Sequence, residues 1–442
     1  MPDEGDNFGR RRNWRARIPM KSVDFLIVGG SAAGTTAAEV IRGIDPDASI
    51  TIITDEAHEE YSRVLIPHYI RHKVNRDQVF LKKPEWYVQK NIILLKGVRG
   101  QHLEVSKHEL TASNREVYQY KKLLIAVGGK VIPFGAPGAT LANILYMRTI
   151  EDAGKIIKVA SQSQKAVIIG GGFIGLEFCS CFKMNGVGEV TVLVKEPYFW
   201  FGKLDENSSK VLVSVLERNG IKVLTGEEVE KFDPTSPDGL SGARGSVGAV
   251  VTKSGKRFEA QVVGIGVGIK SDLEWLSDCG IKIGRAIMTN EYLETNLPDV
   301  YAAGDCAEFH DVIFERQHIV GNWANATSQG NAVGKNMAGQ KTVFETASSY
   351  SINFFDGACT FIGVTDSEYA DEVITRGSVE SGKMTQIYVK TIGGAMRVVG
   401  ATVINNTREV SPITAAVKGK VDISGFRDRL GDADFDLSEI NR

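Results

Sequence analysis

Phe25-Leu-Ile-Val-Gly-Gly-Ser-Ala-Ala-Gly34 feeds four apolar residues into a run of glycine and small residues, the pattern of a buried strand that turns sharply into a helix. Small residues let the backbone come close to a pyrophosphate, and the N–H groups and dipole at the start of the helix attract its charge. Gly29, Ser31, Ala33 and Gly34 are therefore expected at a dinucleotide, with Ser31 standing where the middle glycine of G-x-G-x-x-G is usual. One imperfect motif is weak evidence. Repetition strengthens it, because Ala166-Val-Ile-Ile-Gly-Gly-Gly-Phe-Ile-Gly-Leu-Glu177 has the same form with Gly170, Gly172 and Gly175 all in place and Ile174 between them. The chain is expected to hold two dinucleotides.

At 442 residues, with 43% hydrophobic and 24% charged residues, the chain has room for about three domains and a large core. A formal net charge of -2 argues against a nucleic-acid partner. No apolar run approaches the roughly 20 residues of a membrane span. Five scattered cysteines without C-x-x-C spacing suggest a reducing compartment, so a cytoplasmic location is expected. Residues 1–19 contain Arg10-Arg-Arg-Asn-Trp-Arg-Ala-Arg17 and no apolar stretch. That composition suits a disordered arm and excludes a secretory signal.

Ser49-Ile-Thr-Ile-Ile-Thr-Asp55 reads as a second strand, and Asp55 lies 26 residues beyond Gly29. This is close to the ~20 at which a Rossmann unit offers a carboxylate to ribose hydroxyls, so Asp55, or Glu56 beside it, is expected there. The later landmarks are Ala126-Val-Gly128, Gly264-Ile-Gly266 and Tyr301-Ala-Ala-Gly-Asp305. In this order the motifs resemble those of the two-dinucleotide-binding flavoprotein oxidoreductases, from Met20 to about residue 420. The resemblance implies an α/β chain with two Rossmann-like domains, one for FAD and one for NAD(P)H, and a C-terminal α+β interface domain. FAD would occupy residues 20–145 and 270–340, NAD(P)H residues 146–269, and the interface domain residues 341–442. Ala126, Gly128 and Asp305 would contact FAD, Asp305 through the ribityl chain, and Gly266 would lie by the nicotinamide nucleotide.

Tyr61-Ser-Arg-Val-Leu-Ile-Pro-His-Tyr69 is similar to the segment that carries the active cysteine of NADH oxidases and coenzyme A disulfide reductases, but Val64 holds that place. A valine forms no sulfenic acid or mixed disulfide. The same segment resembles Tyr-x-Arg-Pro-Pro-Leu-Ser-Lys of ferredoxin and rubredoxin reductases and of apoptosis-inducing factor. By that likeness Arg63 would make a bidentate contact to the FAD pyrophosphate. His68 would replace a lysine that pairs with a glutamate matched here by Glu177, giving a catalytic pair that titrates near neutral pH. Trp323, in Gly321-Asn-Trp-Ala-Asn-Ala, resembles the tryptophan that lies against the flavin. Asn353-Phe-Phe-Asp-Gly-Ala-Cys-Thr-Phe-Ile-Gly-Val-Thr365 instead looks like the interface domain of the oxidases and of the nitrite reductase NADH module.

In the second Rossmann unit, Glu189-Val-Thr-Val-Leu-Val-Lys-Glu196 ends on Val194 and Lys195, where NADH enzymes usually place a carboxylate. Lys195 favours a 2'-phosphate and Glu196 leaves NADH open, so the donor is written NAD(P)H. No clustered histidines or cysteines suggest a metal. The expected activity is hydride transfer from NAD(P)H to flavin and release of electrons to a rubredoxin or ferredoxin-like protein. The alternatives are a quinone or oxygen as acceptor, or a redox sensor like apoptosis-inducing factor. A homodimer is left open.

Overall fold

The computed structural model describes residues 20–235 and 245–442; the basic arm expected at 1–19 lies outside them. The strand Met20–Val28 pairs in parallel with Ile50–Thr54 on one side and Val117–Ile125 on the other. Ile92–Lys96 extends this sheet beyond Ile50–Thr54, and Val300–Ala302 pairs in parallel with the end of Val117–Ile125. Ile50–Thr54 is buried along its whole length, as a strand covered on both faces of a parallel sheet must be.

The second glycine motif builds the same unit. Lys165–Ile169 lies between Glu189–Val194 and Val262–Ile265, with Ile221–Thr225 and Ile144–Tyr146 outermost. Ile144–Tyr146 pairs with Val263–Ile265, so the second unit begins slightly before the boundary expected at 145. A short ribbon, Lys130–Val131 against Ile269–Lys270, ties the outgoing chain to the returning one. The last domain is an antiparallel five-stranded sheet, Ser349–Phe354 to Ala395–Ile404, with the helix Val410–Lys418 against it.

Glycines set the close approaches in both units. A Cβ on Gly29, where φ is +121°, would lie 2.1 Å from the Ala126 carbonyl oxygen, and one on Gly170, where φ is +108°, 2.4 Å from that of Gly266. A Cβ on Gly34 or Gly175 would lie 1.9 or 2.0 Å from the carbonyl oxygen of the turn's own first glycine. The repeat seen in sequence is therefore a repeat of backbone packing.

The helix Ala32–Ile44 buries Ala33, Ala37 and Ala38 against the helix Trp323–Met337. There Gly330 and Gly334 leave room for the backbone at Ala33 and Ala37. This contact brings residues 300–337 back onto the first turn. Gly304 N–H donates to the Gln329 side-chain oxygen at 2.7 Å, which orients the residue before Asp305. Among the described residues no helix is long and apolar enough to cross a membrane.

Candidate functional site

One cavity of about 1310 Å3 runs between the two glycine turns and reaches the first strand of the C-terminal sheet. From the first unit it is lined by Ser31, Ala33, Arg63, His68, Ala126 and Gly128, together with Asp305 and Trp323. From the second it takes Gly170, Gly172, Ile174, Glu177, Lys195 and Gly266. Gly29, Gly34 and Gly175 do not line it; they lie behind the turns, where their missing side chains permit the packing described above.

Asp55 and Glu56, the residues expected at a ribose, do not line the cavity. Asp55 follows the end of its strand and faces Arg99 Nε at 3.4 Å and Lys130 Nζ at 3.6 Å. Glu56 accepts from Arg63 Nη2 at 2.6 Å and from the Tyr61 hydroxyl at 2.9 Å. Arg63 also donates from Nη1 to the Arg148 carbonyl at 2.6 Å. Part of its fork is thus engaged within the protein, while no hydrogen bond takes up its Nε among the described residues. The sequence places Arg63 near these acids, but only the folded turn shows that they take up its guanidinium.

Arg148 is a cavity residue that the sequence reading missed. It precedes Thr149, whose side chain caps the helix Ile150–Ala160. Its Nη2 lies 3.6 Å from Asp305 Oδ2, and its buried Nε has no hydrogen-bond partner. Burial, and then the neighbouring Arg63 charge, lower its pKa. A lone arginine at a domain crossing carries no motif, so its position is legible only from the fold. The small-residue turns and this orphaned buried donor suit a ligand rich in polar acceptors, as a dinucleotide is.

The pair expected between His68 and Glu177 is replaced by Arg71 and Glu177. Arg71 Nη2 lies 3.7 Å from Glu177 Oε2, and Arg71 also donates to Ser180 Oγ at 3.2 Å and to the Pro67 carbonyl at 3.1 Å. The reason is helical geometry. Arg71, which caps the C-terminus of the short helix Ile66–Ile70, lies three residues after His68, and Ser180 follows one turn after Glu177 on Phe173–Met184, so two matched positions meet. Arg71 is buried, while His68 lines the cavity with its basicity lowered by burial and then by Arg71 and Lys73. Burial raises the Glu177 pKa to about 7 against the opposing pull of Arg71, and its Oε2 receives no hydrogen bond.

Val64 lines the cavity and is 54% exposed, whereas none of the five cysteines lines it. Cys179, Cys181, Cys306 and Cys359 are buried, and burial raises the pKa of each. Val194 is buried against Gly171. Lys195 is largely exposed, with Nζ 3.6 Å from Glu196 Oε1. Among the described residues no group of three or more histidine, cysteine or acidic side chains could hold a metal ion.

Two Rossmann-like units that open onto one cavity define a protein that brings two dinucleotides together. The family model for pyridine nucleotide-disulphide oxidoreductases matches residues 23–330, and the chain belongs to this family. It is an NAD(P)H-dependent flavoprotein oxidoreductase that uses FAD. It is 30% identical over 330 residues to the NADH oxidase of Methanocaldococcus jannaschii, covering 72% of this chain and 71% of that protein. It is 25% identical over 406 residues to a Bacillus subtilis nitrite reductase that uses NAD(P)H; the match covers 92% of this chain but 48% of that relative, about half its length. The fold is also similar to that in the crystal structure of the covalent putidaredoxin reductase-putidaredoxin complex. There the TM-score is 0.85 and the identity 25%, over 95% of this chain and 98% of that one.

Proposed function

We propose that the enzyme passes electrons from NAD(P)H through FAD to a small electron-transfer protein of the rubredoxin or ferredoxin type, without a redox-active cysteine. The observation that carries the cysteine-free route is the cavity wall itself, where Val64 is exposed and, among the described residues, no thiol takes part. The likeness to a reductase crystallised with its redoxin supports a protein acceptor.

In this reading Ser31, Ala33, Ala126, Gly128 and Asp305 hold FAD, Arg148 supplies a donor to it, and Trp323 walls it. Gly170, Gly172, Ile174 and Gly266 hold the nicotinamide nucleotide. FAD, when bound, accepts a hydride from NAD(P)H and releases electrons onward. The chain supplies position and charge: Glu177 holds an exchangeable proton between the two units, and Arg71 fixes a positive charge beside it.

A steady-state screen of rubredoxin, ferredoxin, a soluble quinone and oxygen, with NADH and NADPH in turn, tests the acceptor. The redoxins should turn over at least about tenfold faster than oxygen; oxygen or quinone as the preferred acceptor would replace this reading. Thiols give a separate test. Native iodoacetamide should reach Cys279, the one cysteine that is not buried, and leave ferricyanide reduction within about twofold of the untreated rate. Loss of that activity without unfolding would restore a thiol to the mechanism.

Lys195→Glu should move selectivity from NADPH toward NADH by about two- to fivefold. The effect is small because Lys195 is mostly exposed and already faces Glu196. Unchanged kcat/KM ratios for the two nucleotides would place the 2' contact elsewhere.

A further inference from the structure

Asp305 and Trp323 both line the cavity, and the chain between them leaves it as a hairpin. Ala307–Asp311 pairs antiparallel with Arg316–His318, with Phe309 opposite His318 and Asp311 opposite Arg316. Ile313 and Phe314 at its tip are buried in the apolar core of the C-terminal sheet, with Ile362, Val364 and Ile387. There the Phe314 carbonyl accepts from the Tyr369 hydroxyl at 2.6 Å. The tip is thus anchored in the last domain, while both ends of the hairpin return to the cavity.

A buried carboxylate closes the hairpin. Asp311 is 2% exposed, and its Oδ1 accepts from the backbone N–H groups of Ile313 at 2.9 Å and Phe314 at 3.3 Å, which shapes the tip. Its Oδ2 lies 3.2 Å from His318 Nδ1, and because a carboxylate only accepts, that nitrogen is the donor. The His318 ring lies 5.8 Å from that of Phe309 and 5.9 Å from that of Phe314. A buried carboxylate that loses its partner is costly, so the pair fixes where the returning strand ends. Beyond it, the Val320 carbonyl accepts from Asn325 Nδ2 at 2.8 Å. Asn322, which caps the helix Trp323–Met337, accepts from Asn325 N–H at 2.8 Å and donates to Ser348 Oγ at 3.0 Å. These bonds make residues 320–325 one unit, and on its N-terminal side that unit is held by His318.

We propose that Asp311 and His318 are positioning residues that set the Trp323 ring against the flavin, and this rests on the reading that Trp323 walls FAD. Neither of the two lines the cavity, so they act through the hairpin and not by contact. A tryptophan ring in contact with a flavin quenches its fluorescence by electron transfer. The emission of FAD that stays bound after gel filtration therefore reports where Trp323 stands.

Trp323→Leu should raise that emission severalfold. His318→Phe keeps the ring but removes the donor, and should bring the emission most of the way to the Trp323→Leu level. His318→Asn, whose Nδ2 replaces the ring Nδ1 as donor, should stay near the wild type. In a Trp323→Leu background His318→Phe should add nothing, because the two act on one contact. Asp311→Asn combined with His318→Phe leaves no unpaired buried charge and serves if the single variant does not fold. Wild-type emission from the folded His318→Phe or double variant would overturn the proposal, as would a rise that persists on top of Trp323→Leu. Wild-type emission from Trp323→Leu would instead overturn the placement of Trp323 beneath it.

Discussion

Arg71→Met is expected to slow reduction of the bound flavin by NAD(P)H by about a hundredfold, the loss typical of removing one preorganised charge or donor from a desolvated site. The substitution removes the cation beside Glu177 and the hydrogen bond to Ser180. His68→Gln should have a much smaller effect, because His68 forms no ion pair with Glu177. Stopped-flow reduction across pH 5 to 9 gives the second readout. In the wild type the rate should follow one ionisation near pH 7, where burial holds Glu177. Arg71→Met should move that ionisation upward, since Arg71 lowers the Glu177 pKa, and Glu177→Gln should abolish it. A profile that persists in Glu177→Gln and vanishes in His68→Gln would return the titrating role to His68.

The same carboxyl makes a stability prediction whose sign follows from the direction of the shift. The folded-state pKa of Glu177 is raised, so its contribution is full below the unfolded value of about 4.5 and is lost as pH rises through about 7. Glu177→Gln should therefore gain stability relative to the wild type between pH 5 and 8, by on the order of 2–3 kcal/mol. Glu60 is also buried, with a pKa raised to about 7, so the wild-type curve alone does not isolate Glu177. The difference between wild type and Glu177→Gln, measured by denaturant titration at each pH, does.

The second large effect is a pair of alanine substitutions that separates the two nucleotide units. In Gly34→Ala the new methyl meets the Gly29 carbonyl at 1.9 Å, and in Gly175→Ala it meets that of Gly170 at 2.0 Å. Both contacts are with backbone, so the helix must shift away from its turn, at about 3 kcal/mol or more. Gly34→Ala is expected to purify with little or no flavin. Gly175→Ala should remain yellow but lose most of its reduction by NAD(P)H, while dithionite still bleaches it. If both lost flavin equally, or Gly175→Ala kept its rate with NAD(P)H, the assignment of one turn to each nucleotide would fail.

Much of the fold was legible in the sequence because its signals are local. A glycine that must take φ beyond +100°, or leave space for a carbonyl two ångströms away, is required by the backbone itself, so Gly29, Gly34, Gly170 and Gly175 mark the turns in any reading of the chain. The apolar runs before them announce buried parallel strands for the same reason. Val64 in place of a cysteine is chemistry written in one letter, and its place on the cavity wall adds exposure to that reading.

Partnerships across the chain were decided only by the tertiary structure. Arg63 was visible as a cation near the first turn, but the fold engages its fork with Glu56 and the Arg148 carbonyl. His68 occupied the matched position, yet one helical turn carried the contact to Arg71, because what meets Glu177 depends on how two short helices cross. Arg148 belongs to no motif; it lines the cavity because a domain crossing placed it there. Local sequence determines which backbone shapes can form. Which charges then face each other, as Arg71 and Glu177 or Arg148 and Asp305 do, depends on how distant segments cross, and those contacts exist only once the chain has packed.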